Sequence, residues 1–194
     1  MGRIITFVLS LLLAATIAIP TAAQEKPGVP PSPTQTPAPP AAKAEDVTSP
    51  DAIIAALYDV ISGPPGKRDW DRFRSLFAPG ARLIPTGRNP QTGEFRCVAL
   101  DSEGYITRSA AYLEQNGFFE KEVARRTERF GNILHAFSTY ESRHKAGDAA
   151  PFARGINSIQ LLFDGKRWWI VTIYWQGESP DNPLPKEFLP AATP

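Results

Sequence analysis

The stretch Arg154–Glu178, RGINSIQLLFDGKRWWIVTIYWQGE, decides the fold of this 194-residue chain. Two long apolar runs flank Asp164-Gly165, and this dipeptide between such runs predicts a β-hairpin with a type I′ turn, because both central residues of that turn need positive φ. The second run carries apolar side chains on both faces of a regular strand, including Trp168, Trp169 and Trp175. One face must therefore cover the core, and the other needs a partner chain or a ligand.

The start of the chain is typical of an exported protein. Residues Met1–Arg3 form a short basic start, and the residues of Ile4–Ile19 are almost all apolar. Small residues then precede the cleavage site expected after Ala23. This pattern predicts a secretory signal peptide over residues 1–23 and a periplasmic or secreted mature protein with no stable membrane span after cleavage. A membrane anchor is the alternative, for which the apolar run is short.

Proline-rich sequence surrounds the predicted folded domain. Residues 24–48 are rich in proline, alanine and threonine and show no apolar periodicity, which predicts a semi-extended linker. The folded domain is expected over residues 49–179, and residues 180–194 form a proline-rich tail.

Composition excludes several classes of function. The formal net charge is +1 and charges are interspersed, so no basic stripe is available for nucleic acid. The two histidines and one cysteine do not form a cluster at ligand spacing, and no phosphate-binding glycine loop is present, so we expect neither metal nor cofactor. Cys97 lies in a strand-like run and is interpreted as a small buried hydrophobic residue.

Local patterns predict helices in the first half of the domain. Ser49 suits an N-cap, Pro50 suits the first helical position, and apolar residues through Ile61 recur at helical spacing. Asp69 and Thr107 are the predicted starts of two further helices. Extended patterns dominate from residue 118 onwards. This order predicts an α+β domain in which N-terminal helices pack on a strongly bent, mainly antiparallel sheet.

Several segments, in this order and spacing, resemble the nuclear transport factor 2-like superfamily in its bacterial SnoaL-like branch. They are Ala56–Val60, Trp70–Arg82, Ser138–Ser142, and Arg154–Ser158 with the Trp168–Ile170 hairpin. The resemblance implies a cone-shaped domain, covering about residues 49–178, with a pocket at its open end. Members include isomerases, cyclases, dehydratases and ligand binders, and homodimers through the outer sheet face are common, so the fold alone does not decide function.

The family's ketosteroid isomerases place an acid in the strand before the final hairpin turn. The comparable stretch here carries no carboxyl group, although the Asn157 amide could donate to a carbonyl. His135 shares a strand face with Phe137 and is the candidate general base, with a core histidine as the alternative. Tyr140 and Trp175 are further candidate ligand-binding residues because they can supply a hydroxyl and an apolar wall.

Two charged features have both a structural and a functional interpretation. Arg154 is a candidate ligand-binding residue for an anion, or it forms a salt bridge with Glu141 that holds the start of its strand. The run Phe118–Phe130 carries seven charged residues and is interpreted as a solvated strand with cross-strand pairs, with partner docking as the alternative.

Three hypotheses of function follow from these residues. The first is an exported domain that binds a small apolar or aromatic molecule in the cone pocket. The second is a SnoaL-like enzyme with His135 as base, and the third is a protein-interaction module. The apolar second face of the hairpin also predicts a homodimer through the outer sheet face.

Overall fold

The computed structural model describes residues 38–190, in which two helices, two strands and a third helix are followed by four long strands. The predicted signal peptide and most of the predicted linker lie outside the described residues. The helices are α1 (Pro50–Ile61), α2 (Trp70–Ser75) and α3 (Ser102–Gln115). The strands are β1 (Phe77–Arg88), β2 (Phe95–Cys97), β3 (Phe119–Phe130), β4 (Ile133–Arg143), β5 (Ala153–Phe163) and β6 (Trp168–Gly177). Within residues 38–190, no helix is both long and apolar enough to cross a membrane.

The six strands form one open sheet in the order β2-β1-β6-β5-β4-β3. Strands β1 and β6 are parallel, and every other neighbouring pair is antiparallel. The prediction of an α+β domain with N-terminal helices on a mainly antiparallel sheet is confirmed. Cys97 lies on the short edge strand β2 and is exposed, so its interpretation as a buried residue is wrong.

Side-chain caps fix where each helix begins. Ser49 Oγ accepts a hydrogen bond from Ala52 N at 3.0 Å, and Asp69 Oδ1 accepts one from Arg72 N at 2.9 Å, as their positions predicted. The third helix begins earlier than Thr107, because Asp101 Oδ1 accepts a bond from Gly104 N at 2.7 Å. The predicted start at Thr107 is therefore wrong.

The final hairpin turns through a four-residue loop rather than a type I′ turn. Phe163 pairs with Trp168, so residues 164–167 form the loop. Only Gly165 has a positive φ, of 94°. The Asp164 carboxylate accepts hydrogen bonds from the backbone N–H groups of Lys166 and Arg167, both at 2.8 Å, and so takes the place of a second residue with positive φ.

The three helices and the inner face of the sheet enclose the core. Fully buried apolar side chains come from the helices, from the segments that follow them and from β1, β5 and β6: Ile53, Ile54, Phe73, Leu76, Phe77, Leu83, Ile159, Leu161 and Ile170. Because water is excluded there, a polar group on this face needs a partner inside the protein.

Packed structure extends beyond both predicted domain boundaries. Val47 belongs to the core, and Asp46 is buried in an ion pair with Arg72 of α2 at 2.7 Å. The Arg72 guanidinium holds the pKa of Asp46 below its ordinary value. At the other end, Thr139 Oγ1 donates to the carbonyl of Phe188 at 2.6 Å, which fastens the tail to the outer sheet face.

Candidate functional site

A β-bulge in β6 decides which tryptophans face the helices. Leu161 pairs with Ile170 and Gln160 with Thr172, which leaves Val171 as the extra residue. The alternation of side chains therefore changes phase, and Trp168 and Trp175 both face inward. Trp169 lies on the outer face, where its Nε1 donates to Asp164 at 2.7 Å. A regular strand would have placed Trp169 and Trp175 on the same side.

A cavity of about 130 Å³ lies between the helices and the inner face of the sheet. Aromatic and aliphatic side chains form most of its wall, with two polar side chains among them: Leu57, Tyr58, Ile61, Phe73, Leu83, Tyr105, Phe118, Glu120, Tyr140, Asn157, Ile173 and Trp175. The aromatic wall is continuous, because Tyr105 stacks on Phe73 with ring centroids 5.1 Å apart and meets Trp175 edge-on at 6.4 Å. Such a site is concave and mostly apolar, as ligand pockets are.

A buried hydrogen-bond network ties α1 to the sheet beside this cavity. The Asn157 amide donates to the Tyr58 hydroxyl at 3.0 Å, and that hydroxyl shares a 2.7 Å hydrogen bond with Ser138 Oγ. Ser138 Oγ in turn donates to the carboxylate of Glu122. Burial raises the pKa of Tyr58, so the hydroxyl stays neutral.

Glu120 is the acidic group of the cavity. Ser142 Oγ donates to its carboxylate at 2.7 Å. Burial raises the pKa of Glu120 to about 7, and hydrogen bonds from Ser142 and Asn157 only partly offset this effect. A carboxyl group with this pKa exchanges its proton near neutral pH, which is the property required of a general acid or base.

The Tyr140 hydroxyl occupies space that only a glycine leaves free. A Cβ added to Gly155 would lie 2.5 Å from this hydroxyl and 2.4 Å from the carbonyl oxygen of Gln176. Tyr140 is 7% exposed, and burial together with the nearby charge of Glu120 raises its pKa. Gly155 therefore lets a neutral phenol approach the strand backbone at the cavity wall.

The structure brings three of the five predicted site residues together. Tyr140, Asn157 and Trp175 all line the cavity. His135 lies on the opposite face of β4, where its Nε2 shares a 2.9 Å hydrogen bond with Ser158 Oγ. It is not placed to act on a molecule in this cavity, so the interpretation of His135 as the pocket base does not fit the geometry.

Arg154 also lies outside the cavity. The register places it opposite Glu141, as a salt bridge between them would need. Instead, Arg154 Nε pairs with Glu178 at 2.8 Å, and Glu141 pairs with Arg143 at the same distance. The expected partner is therefore wrong, because Glu178 follows β6 beside the start of β5 and competes successfully for the guanidinium.

Sequence reasoning missed Glu120. It lies in the charged run that was interpreted as a solvated strand, yet it pairs with Ser142 in the register and faces inward with it. The available signal was alternation, since Glu120 and Glu122 share one face of β3. That face becomes a cavity wall because α1 packs across it, with Tyr58 and Ile61 lining the same cavity as Glu120.

No group of His, Cys, Asp and Glu side chains within residues 38–190 is arranged to hold a metal ion. The polar chemistry of the cavity thus consists of one carboxyl group, one amide and phenolic hydroxyls. Those groups can donate and accept hydrogen bonds and can transfer a proton.

Comparison with solved structures finds similar chains at low sequence identity. An NTF-2 like protein of unknown function from Silicibacter pomeroyi is 16% identical, with 66% of this chain and 92% of that one aligned at a TM-score of 0.42. The yeast UBP3-associated protein BRE5 is 16% identical, with 66% and 93% aligned at 0.47. An NTF2-like protein of unknown function from Methylobacillus flagellatus is 10% identical, with 68% and 96% aligned at 0.44.

No protein-family model matches the chain, and no curated protein matches it significantly. The matched structures concern the fold alone and carry no information on activity at these identities. Two of the similar structures are of NTF2-like proteins, the kind of protein that the sequence of this chain resembles.

Proposed function

We propose that this domain binds a small, largely apolar ring compound in the cavity between α1, α3 and the inner sheet face. The observation that carries the proposal is a cavity walled by six aromatic rings, which also holds the acidic group Glu120. A core built only for stability would fill such a space, because interiors are close-packed and empty volume costs free energy.

The size of the cavity limits the ligand to about one ring. Its volume of about 130 Å³ is close to that of an engineered protein cavity, roughly 150 Å³, that binds benzene. Tyr105, Phe118 and Trp175 also line a neighbouring depression of about 240 Å³. These shared rings support this side as the entrance, because their displacement would open the cavity toward the surface.

The polar groups of the cavity can fix the orientation of such a ligand. Among residues 38–190 the Tyr140 hydroxyl forms no protein hydrogen bond and so remains free to donate to a bound acceptor, while the Glu120 carboxyl can donate or accept according to pH. In an apolar site a few such groups fix orientation, since an unpaired polar group there is costly.

Titration with neutral rings tests this proposal. We expect phenol to raise the melting temperature and to bind more tightly than the two-ring 2-naphthol, because the cavity holds one ring. Tyr140→Phe should weaken phenol binding severalfold, and the outer-face variant Tyr174→Phe should not. Absence of any shift at millimolar concentrations of both compounds would contradict the proposal.

Glu120 also supports a second candidate function, which is proton transfer on a bound ring. Its raised pKa suits a base that removes a proton next to a carbonyl group. It takes the role that the sequence assigned to His135. Deuterium exchange at the α-carbons of cyclohexanone should be faster with the protein than with Glu120→Gln. Equal rates would refute this candidate and leave simple binding in place.

We propose in addition that the protein acts outside the cytoplasm, on the strength of the apolar run and small residues in Met1–Ala23. N-terminal sequencing of protein from the producing cell should give Gln24 as the first residue. An intact N-terminus in the membrane fraction would show an anchor instead.

The outer sheet face supports a homodimer. Ile133 and Leu162 are cross-strand partners and are exposed, and Tyr174 on β6 is 46% exposed. The tail covers the neighbouring part of this face around Phe137, with which Phe188 stacks edge-on at 5.1 Å. Light scattering at micromolar concentration should give the dimer mass for wild type and the monomer mass for Leu162→Asp. A soluble wild-type monomer would contradict this assembly.

A further inference from the structure

The cavity holds an acidic group without a basic counterpart. Its lining residues include Glu120 but no lysine, arginine or histidine. Among residues 38–190, no ion pair involves Glu120. Its partner is the neutral Ser142 hydroxyl, and the neutral Asn157 amide also favours the charged form. A half-buried charge without a counterion is costly, so an external cation would be stabilised there.

Two arginines near the cavity are already engaged elsewhere, and a third, Arg108, lines the neighbouring depression but not the cavity itself. Arg125 on β3 pairs with Glu122 at 2.7 Å and with Asp51 of α1 at 2.6 Å. Arg68, whose charge acts on Tyr105, donates to four backbone carbonyl oxygens: those of Ile61, Gly63, Pro64 and Gly66. Neither guanidinium therefore neutralises Glu120.

The tyrosines that face Glu120 do not supply a charge of their own. Tyr58 on α1, Tyr105 on α3 and Tyr140 on β4 all have pKa values raised by burial, with the charge of Glu120 adding to the effect. They are neutral phenols across the physiological range. Their rings, with those of Phe73, Phe118 and Trp175, line the cavity, and the face of an aromatic ring is electron-rich.

Aromatic rings and a half-buried carboxylate attract the same kind of ligand. A cation over an aromatic ring is bound by the ring quadrupole, and this attraction grows when water is excluded. The carboxylate adds a direct ion pair of low solvent exposure. We propose that the ligand of this cavity is a small organic cation, an ammonium group carried by a single ring or a branched chain of similar size. This inference rests on the proposed function and assigns its ligand class.

Two ligands of nearly the same size, one charged and one neutral, test the inference directly. Cyclohexylamine, which is protonated near neutral pH, and cyclohexanol, which is neutral, differ in charge but hardly in size. Calorimetric titration of the full domain at pH 8 should give at least about tenfold tighter binding of the amine, the free-energy equivalent of about one favourable charge contact. Glu120→Gln should remove this preference while retaining alcohol binding. Glu128→Gln, on the exposed outer face of β3, is the matched control and should keep it.

A pH series covers the case in which Glu120→Gln does not fold. Lowering the pH from 8 to 5.5 protonates Glu120 while the amine stays charged, so the wild-type preference should fall toward unity. A preference for the amine that persists at pH 5.5, or equal binding of both compounds at pH 8, would overturn the cation inference. Cyclohexanol binding alone would leave the proposed function intact, whereas binding of neither compound would refute both.

Discussion

The two faces of strands β3–β6 satisfy their polar groups in different ways. On the outer face the groups pair with one another: His135 with Ser158, Arg154 with Glu178, and Trp169 with Asp164. On the inner face Glu120 has only neutral hydrogen-bond partners and faces an aromatic cavity. Because each of these outer groups has a hydrogen-bond or ion-pair partner within the protein, a structural role is sufficient to account for them. The inner site lacks a charged partner for Glu120, and a ligand could supply one.

The largest expected effect comes from closing the space beside Tyr140. Gly155→Ala places a Cβ within 2.5 Å of two oxygen atoms and should lower the free energy of unfolding by about 3 kcal/mol. Gly147→Ala is the control, since its Cβ would meet nothing within 4 Å, and we expect a change of at most about 0.5 kcal/mol. Urea unfolding of both variants measures the difference. Equal stabilities would show that the inner face tolerates the extra atom and is not close-packed.

The charge of Glu120 should make the inner face sensitive to pH. Its pKa is raised from the ordinary 4.5 to about 7, so the folded state binds this proton more tightly than the unfolded state. Stability then falls as the pH rises from about 4.5 to about 7, by about 2 kcal/mol, since one pKa unit corresponds to about 1.4 kcal/mol and partial solvent access reduces the effect.

The measurement is urea unfolding at several pH values for wild type, Glu120→Gln and Glu128→Gln. The stability of Glu120→Gln should no longer fall over this pH range. The stability of Glu128→Gln should still fall, because Glu128 lies on the exposed outer side of the same strand. A wild-type profile that matches Glu120→Gln would mean that Glu120 is an ordinary solvated carboxylate.

Removal of one tyrosine hydroxyl from each face of the sheet compares the two faces, with a smaller expected effect on stability. Tyr58→Phe removes a buried hydroxyl and leaves Asn157 and Ser138 without that partner, so we expect a loss of about 1–2 kcal/mol. Tyr174→Phe on the exposed face should change stability by less than about 0.5 kcal/mol. The distinction between the faces fails if thermal melts give similar losses.

The smallest effect is expected at His135. Its single side-chain hydrogen bond joins it to Ser158 on the outer face. His135→Ala should cost no more than about 1 kcal/mol and should leave ring binding unchanged. Reduced binding in this variant, measured by calorimetry with phenol, would restore the sequence-based interpretation of His135 as a pocket residue.

The fold could be predicted because its signals are local. The cap residues Ser49 and Asp69 and the long alternating runs act within a few positions of where they stand. The third helix begins at Asp101 rather than at Thr107; both are good cap residues, and only the backbone geometry separates them. The loop at Asp164 likewise depends on a side-chain bond that the dipeptide signal does not specify.

The site could be predicted only in part. Tyr140, Asn157 and Trp175 all line the cavity, although a bulge at Val171 is needed to turn Trp175 inward. A bulge has no reliable sequence signal, and it shifts every later side chain to the other face. Glu120 was missed because a charged strand is usually solvated, and only the placement of the helices makes one of its faces a cavity wall.

Nuclear magnetic resonance of the tryptophan indole groups tests the central claim most directly, since Trp175 reports on the cavity side of β6 and Trp169 on its outer face. Titration of the labelled protein with phenol should shift and saturate the Trp175 indole signal, while the Trp169 signal stays fixed by its hydrogen bond to Asp164. A saturable shift of Trp169 with an unchanged Trp175 would contradict the account and move the binding site to the outer face. No shift of either signal would show that the inner cavity is not a binding site for such rings.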